Sequence, residues 1–211
     1  MDVLEALKWR YAVKKFDPTK KLTKGQIDRL VESLCLTATS MGLQLMEFIV
    51  ISQDELKAVI RPHAYNQSQI TDCSHLFVLC RKEKVTEADI QEIIDITSDK
   101  RLLKNDSPQL LGYAQMLRST LTMDESHQVK WMENQLYIAL GNLMTVCAVE
   151  QIDACPMEGF VREEVDKVLQ LKEKGLKTVL MCALGFRSED DKYNGWAKVR
   201  RSKEKLVSYI D

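Results

Sequence analysis

The longest helical pattern in the sequence occupies residues 122–151, TMDESHQVKWMENQLYIALGNLMTVCAVEQ. Its first half is amphipathic, whereas residues 136–149 are apolar nearly all round, a surface that only a helix buried on most sides tolerates. The spacing of Thr122 and Glu125 is that of a capping box and predicts where the helix starts. Gly141 destabilises the helix by roughly 1 kcal/mol relative to alanine. Its presence therefore predicts that another element packs closely against the helix at this position. The stretch predicts one long, central helix.

Short apolar runs, rich in β-branched and aromatic residues, predict the strands. They occupy residues 45–51, 75–80 and 178–185, and a fourth candidate strand occupies 207–210. Strands and helices alternate without the regular rhythm of βαβ units. We therefore expect a single α+β domain over residues 1–211, with a small, mostly antiparallel sheet flanked by helices.

The remaining helices are shorter. Capping-box spacings at Thr23 with Gln26 and at Thr86 with Asp89 predict two helix starts. Apolar periodicity predicts further helices over residues 2–9, 54–60 and 162–171. Residues 98–121 are polar and contain Pro108 and Gly112, which predicts a loop or a mobile helix.

The charge of the chain is balanced overall but uneven along its length. Its 211 residues include 30 basic and 31 acidic side chains, so nothing in the net charge of -1 favours a nucleic-acid or membrane partner. Residues 1–21 nevertheless hold six basic and three acidic side chains, and residues 192–205 hold six basic side chains and one acidic. The two ends together carry +8 and the middle -9. Charged chain ends are usually solvated, and the alternative is that they converge on one phosphate.

Several classes of site and location are not supported by the sequence. The amino terminus lacks a signal-peptide pattern, the apolar runs are too short to span a membrane, and the six cysteines form no C-x-x-C pair, which favours a cytoplasmic protein with reduced thiols. The three histidines form no metal-binding pair, so we expect no metal. The eight glycines form no phosphate-binding loop, so basic side chains would have to hold any nucleotide phosphate.

Six blocks, spread in order over nearly the whole chain, carry a resemblance to a known family. They are RYAVKKFDP (10–18), TSMGLQ (39–44), NQSQITDCSH (66–75), WMENQLYIALGN (131–142), CPMEGF (155–160) and KVR (198–200). Together they resemble the nitroreductase family, close to its oxygen-insensitive NAD(P)H nitroreductase and dihydropteridine reductase branch. No single block is decisive, and the set is strongly specific.

The resemblance implies a homodimeric flavoprotein with one FMN in each of two sites at the subunit interface. The long helix would lie in the dimer core, and the carboxy-terminal strand would cross to the partner's sheet. The resemblance implies the following residues at the cofactor: Arg10, Ala12, Lys14, Thr39, Ser40, Gly42, Asn66, Gln69, Pro156, Met157, Glu158, Gly159, Lys198 and Arg200.

Within that set the resemblance implies separate tasks. Arg10, Lys198 and Arg200 would hold the phosphate, and Lys14 would lie at the flavin N1 and O2 edge, where a cation stabilises the reduced ring. Asn66 would bond the pyrimidine edge, and the turn of Pro156, Glu158 and Gly159 would lie against the ring near N5. Lys14 and Glu158 would tune the ring, and Thr39 and Ser40 would come from the other subunit.

The implied activity is a ping-pong hydride transfer. NADH or NADPH would reduce the flavin at N5, and a nitroaromatic, a quinone or a pterin would then reoxidise it, with no obligatory acid–base residue. Departures from the family pattern, Ala12 in place of a hydroxyl residue and Leu45-Met46 in place of an aromatic wall, motivate an alternative, a flavin carrier or sensor without turnover. A flavin-free interaction protein is a third hypothesis. Tyr113, Met116 and Leu117 either line the pocket mouth or pack as ordinary helix residues.

Overall fold

The structure of the protein, a computed structural model, describes residues 2–210. Its helices and strands, in chain order, are α1 (Val3–Trp9), α2 (Lys24–Cys35), β1 (Met46–Ile51), α3 (Asp54–Ile60), α4 (Gln69–Asp72), β2 (His75–Lys82), α5 (Glu87–Arg101), α6 (Pro108–Arg118), α7 (Glu125–Val149), β3 (Asp153–Met157), α8 (Arg162–Val168), β4 (Leu176–Gly185) and α9 (Lys203–Leu206). Four 3₁₀ turns lie between them, at Ser40–Gly42, Arg61–Ala64, Ser119–Thr122 and Leu171–Lys174.

The four strands form one antiparallel sheet in the order β1-β2-β4-β3. Side chains alternate between the two faces of each strand, and both faces are covered. On one face Leu76 and Val78 pack with α3, α4 and α8, and on the other Phe77 and Leu79 pack with α2 and α7. The predicted α+β class with a small antiparallel sheet is confirmed.

The long helix α7 is present, but its start and its surroundings differ from the prediction. Asp124 caps it by accepting a hydrogen bond from the backbone N–H of His127 at 3.2 Å, and Thr122 instead ends a 3₁₀ turn. The predicted capping box is therefore wrong. Tyr137 is 42% exposed and Ile138 is 50% exposed, so α7 is not covered on most sides by its own chain. A Cβ atom at Gly141 would meet nothing within 4 Å among the described residues, so this chain does not provide the expected neighbour.

The capping boxes at Thr23 and Thr86 are confirmed. Residues 98–121, expected to be a loop or a mobile helix, are largely helical: they contain the end of α5 and the whole of α6. Ser107 caps α6 through the backbone N–H of Leu110, and Pro108 occupies its first turn, where a missing N–H has no consequence. Residues 207–210, the fourth candidate strand, are exposed and belong to no strand of this chain.

Gly185, at the end of β4, lies where the chain approaches the N-terminal segment closely. An added Cβ would lie 3.0 Å from the backbone nitrogen of Ser74 and 3.1 Å from the Phe16 ring. We expect Gly185→Ala to lower the free energy of unfolding by about 1 to 3 kcal/mol, as overpacking does. Urea denaturation measures this change. Gly112→Ala, in helix α6, is the matched control, because the added Cβ would meet nothing within 4 Å among the described residues. It should leave the free energy of unfolding unchanged or raise it, since alanine favours a helix more than glycine does.

Candidate functional site

A cavity of about 790 Å³ lies between the segment after α1, the middle of β3 and the chain that follows β4. Pockets of about 300 to 1,000 Å³ typically bind small molecules and cofactors. Residues from both ends of the chain line it: Lys8, Trp9, Arg10, Tyr11, Ala12, Lys14, Met144, Pro156, Arg187, Tyr193, Asn194, Gly195, Trp196, Ala197, Lys198 and Arg200. Six of the predicted site residues are among them, namely Arg10, Ala12, Lys14, Pro156, Lys198 and Arg200.

Backbone pairing places the N-terminal part of this lining. Ala12 forms a parallel bridge with Ala154 of β3, and Phe16 forms an antiparallel bridge with Arg187, just beyond β4. The backbone N–H of Ser188 also donates to the carbonyl of Lys15 at 2.9 Å. The segment that carries Arg10 and Lys14 is therefore fixed against the sheet edge and against the start of the carboxy-terminal segment.

Three cations meet at the cavity. The ammonium group of Lys198 donates a hydrogen bond to the backbone carbonyl of Arg10. Burial lowers the pKa of Lys198, and the charges of Arg10 and Arg200 lower it further. Burial also lowers the pKa of Arg10, and its buried Nε atom has no hydrogen-bond partner among the described residues. Within residues 2–210 none of the three forms a salt bridge, so the cluster is suited to an added anion.

Arg187 is a cavity residue that the sequence reasoning missed. Its guanidinium carbon lies 4.3 Å from the ring centroid of Trp9 and 4.5 Å from that of Tyr11. Asp153 accepts hydrogen bonds from its Nε at 2.9 Å and from its Nη2 at 2.6 Å. Asp153 thereby neutralises this arginine, which lies against the rings of Trp9 and Tyr11. The sequence offered one signal for a role of Arg187 at the site, namely its position two residues beyond the strand predicted for residues 178–185.

The side chain of Lys14 lies against β3. Its ammonium group lies 3.5 Å from the sulfur of Cys155, next to the cavity residue Pro156. Met157 is 4% exposed and packs in the core, so its side chain does not point to the cavity.

A second group of predicted residues lies outside the cavity lining. Gln67 donates a hydrogen bond to the carbonyl of Gly159 at 2.8 Å, which joins the loop of Asn66 to the turn of Glu158. The hydroxyl of Tyr137 on α7 donates to Glu158 Oε1 at 2.9 Å. Asn66, Glu158 and Gly159 are exposed, and Gln69 is 7% exposed. The structure thus brings Asn66 and Gly159 to neighbouring loops, apart from the cation cluster.

A third group, Thr39, Ser40 and Gly42, also lies outside the cavity lining. Gln135 of α7 accepts a hydrogen bond from the backbone N–H of Ser40 at 2.8 Å. The hydroxyl of Tyr113 donates to the carbonyl of Met41 at 2.9 Å. Hydrogen bonds within the chain therefore fix the loop of residues 39–42, which does not line the cavity of Arg10, Lys198 and Arg200.

The three residues of α6 singled out from the sequence have different surroundings. Leu117 is fully buried in a core cluster with residues of α5. For this residue the alternative of ordinary helix packing is therefore correct. Met116 is 42% exposed, and Tyr113 is half-buried at the loop of Met41. None of the three lines the cavity described above.

Among residues 2–210, no helix has the length and apolarity needed to cross a membrane. In the same residues, no three His, Cys, Asp or Glu side chains are grouped so that they could hold a metal ion.

The fold and the cavity define an α+β protein with a cationic site suited to an anion. The nitroreductase family model matches residues 7–186. An oxygen-insensitive NAD(P)H nitroreductase from Salmonella typhimurium is 31% identical, with 100% of both chains covered. The chain belongs to the nitroreductase family.

Solved structures share the fold. A nitroreductase family protein from Streptococcus pneumoniae has a TM-score of 0.81 at 18% identity and covers 98% of this chain and 99% of its own. A protein from Exiguobacterium sibiricum, assigned as a nitroreductase and solved in complex with FMN, has a TM-score of 0.83 at 19% identity and covers 100% and 98%.

Proposed function

We propose that the protein is an FMN-dependent NAD(P)H oxidoreductase that reduces nitroaromatic, quinone or related electron-poor acceptors by a ping-pong mechanism. The observation that carries the proposal is the meeting of Arg10, Lys198 and Arg200, from opposite ends of the chain, at one cavity. A family relative with NAD(P)H nitroreductase activity in its name covers the whole chain. Arg10, Lys198 and Arg200 would hold FMN, which would supply the two-electron hydride-transfer chemistry between NAD(P)H and the acceptor.

The residues of the cavity fit this cofactor. Arg10, Lys198 and Arg200 supply positive charge and N–H donors for its dianionic phosphate, without an acidic competitor among the described residues. Lys14 supplies a cation at the part of the cavity next to Pro156, where the ring would lie. That cation stabilises negative charge on the reduced ring. Ala12 offers no hydroxyl, so the phosphate depends on the three cations.

The proposal includes a homodimer with an FMN site at each interface. Asn66, Gln69, Glu158 and Gly159 would lie at the ring, and Thr39, Ser40 and Gly42 would complete the partner's site. Two observations support it. The hydroxyl of Thr39 is buried without a partner among the described residues. Large apolar side chains are exposed on α7 and in the last residues, namely Tyr137, Ile138, Val207, Tyr209 and Ile210.

Ile138, 50% exposed on α7, offers a test of the dimer. Ile138→Glu would place a charge in the apolar contact between the two copies, so we expect dimer dissociation to become at least about tenfold more favourable. Sedimentation equilibrium over a concentration range measures this constant. Ile96→Glu on α5, where Ile96 is 47% exposed, is the matched control and should leave the dimer unchanged. Equal effects of both substitutions would contradict the proposed interface.

The reaction itself is tested with the purified dimer under anaerobic conditions. The protein should be yellow, should bleach with NADH or NADPH and should recover its colour when a quinone or a nitroaromatic is added. Flavin that stays oxidised with both nucleotides would favour a carrier or sensor. Colourless protein that takes up no FMN on reconstitution would contradict the proposed function altogether.

The proposal places the enzyme in the cytoplasm. All six cysteines are free, and five of them are buried. Unpaired thiols are typical of a reducing compartment.

A further inference from the structure

Asp191 lies in the turn that follows β4, just before the cavity-lining residues 193–198 and Arg200. It is 3% exposed, although its neighbour Asp190 is exposed and forms a salt bridge with Lys15. It also lies beyond the residues matched by the family model, which end at position 186. A buried carboxylate at this place requires a structural reason.

The hydrogen bonds of Asp191 connect the two halves of the cavity lining. Its Oδ2 atom accepts from the backbone N–H of Lys14 at 2.7 Å and from that of Lys15 at 3.0 Å. Its Oδ1 atom accepts from the backbone N–H of Tyr193 at 2.9 Å. One side chain therefore holds the segment that carries Lys14 and the first residue of the segment that leads to Lys198 and Arg200.

The charge of Asp191 suits this task. Burial by itself would raise the pKa of the carboxyl group, but the N–H donors of Tyr193, Lys15 and Lys14 outweigh burial and hold the pKa below its ordinary value of 3.8. The group is therefore an anion at neutral pH. It lies between two segments that are both rich in cations and that would otherwise repel each other.

We propose that Asp191 is a positioning residue of the cofactor site, which joins the segment of Lys14 to the segment of Lys198 and Arg200. The inference rests on the proposed function. Asp191 does not itself line the cavity. It sets the direction of Lys14 toward the flavin ring and brings the carboxy-terminal cations to the same phosphate that Arg10 contacts.

Asp191→Asn is the direct test, because asparagine has the same shape but only one acceptor oxygen. Either the Lys14 and Lys15 N–H groups or the Tyr193 N–H group would lose its acceptor. We expect the dissociation constant for FMN to rise about tenfold or more. We also expect a lower midpoint potential for the FMN that remains bound, because a displaced Lys14 stabilises the reduced ring less.

Asp190→Asn is the matched control, since it removes the adjacent exposed carboxylate and leaves the buried one intact. Its FMN affinity should stay within about twofold of that of the natural protein, because exposed ion pairs contribute little. Its midpoint potential should equal that of the natural protein within experimental error. A purely structural role of Asp191 would reduce thermal stability without moving the potential. Asp191→Ala leaves none of the three N–H groups an acceptor, so it displaces Lys14 whichever way the asparagine amide would turn. An unchanged potential in both Asp191→Asn and Asp191→Ala therefore overturns the inference, whatever the affinity.

A measurement on the natural protein covers the case in which Asp191→Asn fails to fold. Amide hydrogen exchange, followed by NMR with and without FMN, should show that FMN slows exchange at Lys14, Lys15 and Tyr193 together. Slowing at Lys14 and Lys15 with no change at Tyr193 would overturn the inference. A natural protein that binds no FMN refutes the proposed function, whereas FMN binding that is unaffected by Asp191→Asn refutes the positioning role alone.

Discussion

The Lys198→Ala/Arg200→Ala double variant should bind FMN at least about a hundredfold more weakly than the natural protein. Each side chain would lose a hydrogen bond to a charged group, worth about 1.5 to 3 kcal/mol, and the two losses compound even if they are not strictly additive. Both residues line the cavity together with Arg10. Isothermal titration of the cofactor-free protein, or fluorescence quenching of FMN, measures the constant.

The control for this variant removes the same charge from the same segment. Arg201 and Lys203 are exposed and do not line the cavity, so Arg201→Ala/Lys203→Ala should change FMN affinity by no more than about threefold through long-range attraction. Raising the salt concentration should weaken FMN binding by the natural protein more than by the Lys198→Ala/Arg200→Ala variant, which has fewer cations at the phosphate. Equal losses in both double variants would show that only net charge matters and would contradict a phosphate site at these residues.

Asp153→Asn should lower the free energy of unfolding by about 3 to 5 kcal/mol, the range observed when one partner of a buried ion pair is removed. Asp153 is 4% exposed and accepts hydrogen bonds from the Nε and Nη2 atoms of Arg187 and from its backbone N–H, the last at 2.7 Å. Asparagine would leave the Arg187 charge uncompensated while that arginine lies against the rings of Trp9 and Tyr11. Urea unfolding of the cofactor-free protein gives the change.

Glu150→Gln is the control for this loss of stability. Glu150 forms a salt bridge with Arg29 whose side chain is 53% exposed, and exposed pairs of this kind contribute about 0 to 1 kcal/mol. The control should therefore stay within about 1 kcal/mol of the natural protein. A comparable loss in the two variants would mean that burial of the Asp153 pair carries no special weight.

Predictions from local patterns succeeded where one stretch of sequence contains all the interacting groups. The capping boxes at Thr23 and Thr86 formed because both partners are three residues apart. Residues 98–121 are more helical than their polar composition indicates, because Pro108 lies in the first turn of α6, where it fits without strain. The Thr122 box failed because Asp124, two residues later, caps α7 instead.

The sequence by itself determined the α+β class, the long helix and the apolar strands, because periodicity and capping depend on residues close together in the chain. It also determined the family, because six blocks in order carry that resemblance. The resemblance also implied that Arg10 and Lys198 share a site. Only the tertiary structure decided that Lys198 donates a hydrogen bond to the Arg10 carbonyl, that Arg187 lies against Trp9, and that Asp191 joins the two ends. These contacts link residues more than 170 positions apart, and they depend on the position of β3 beside β4, which no local pattern encodes.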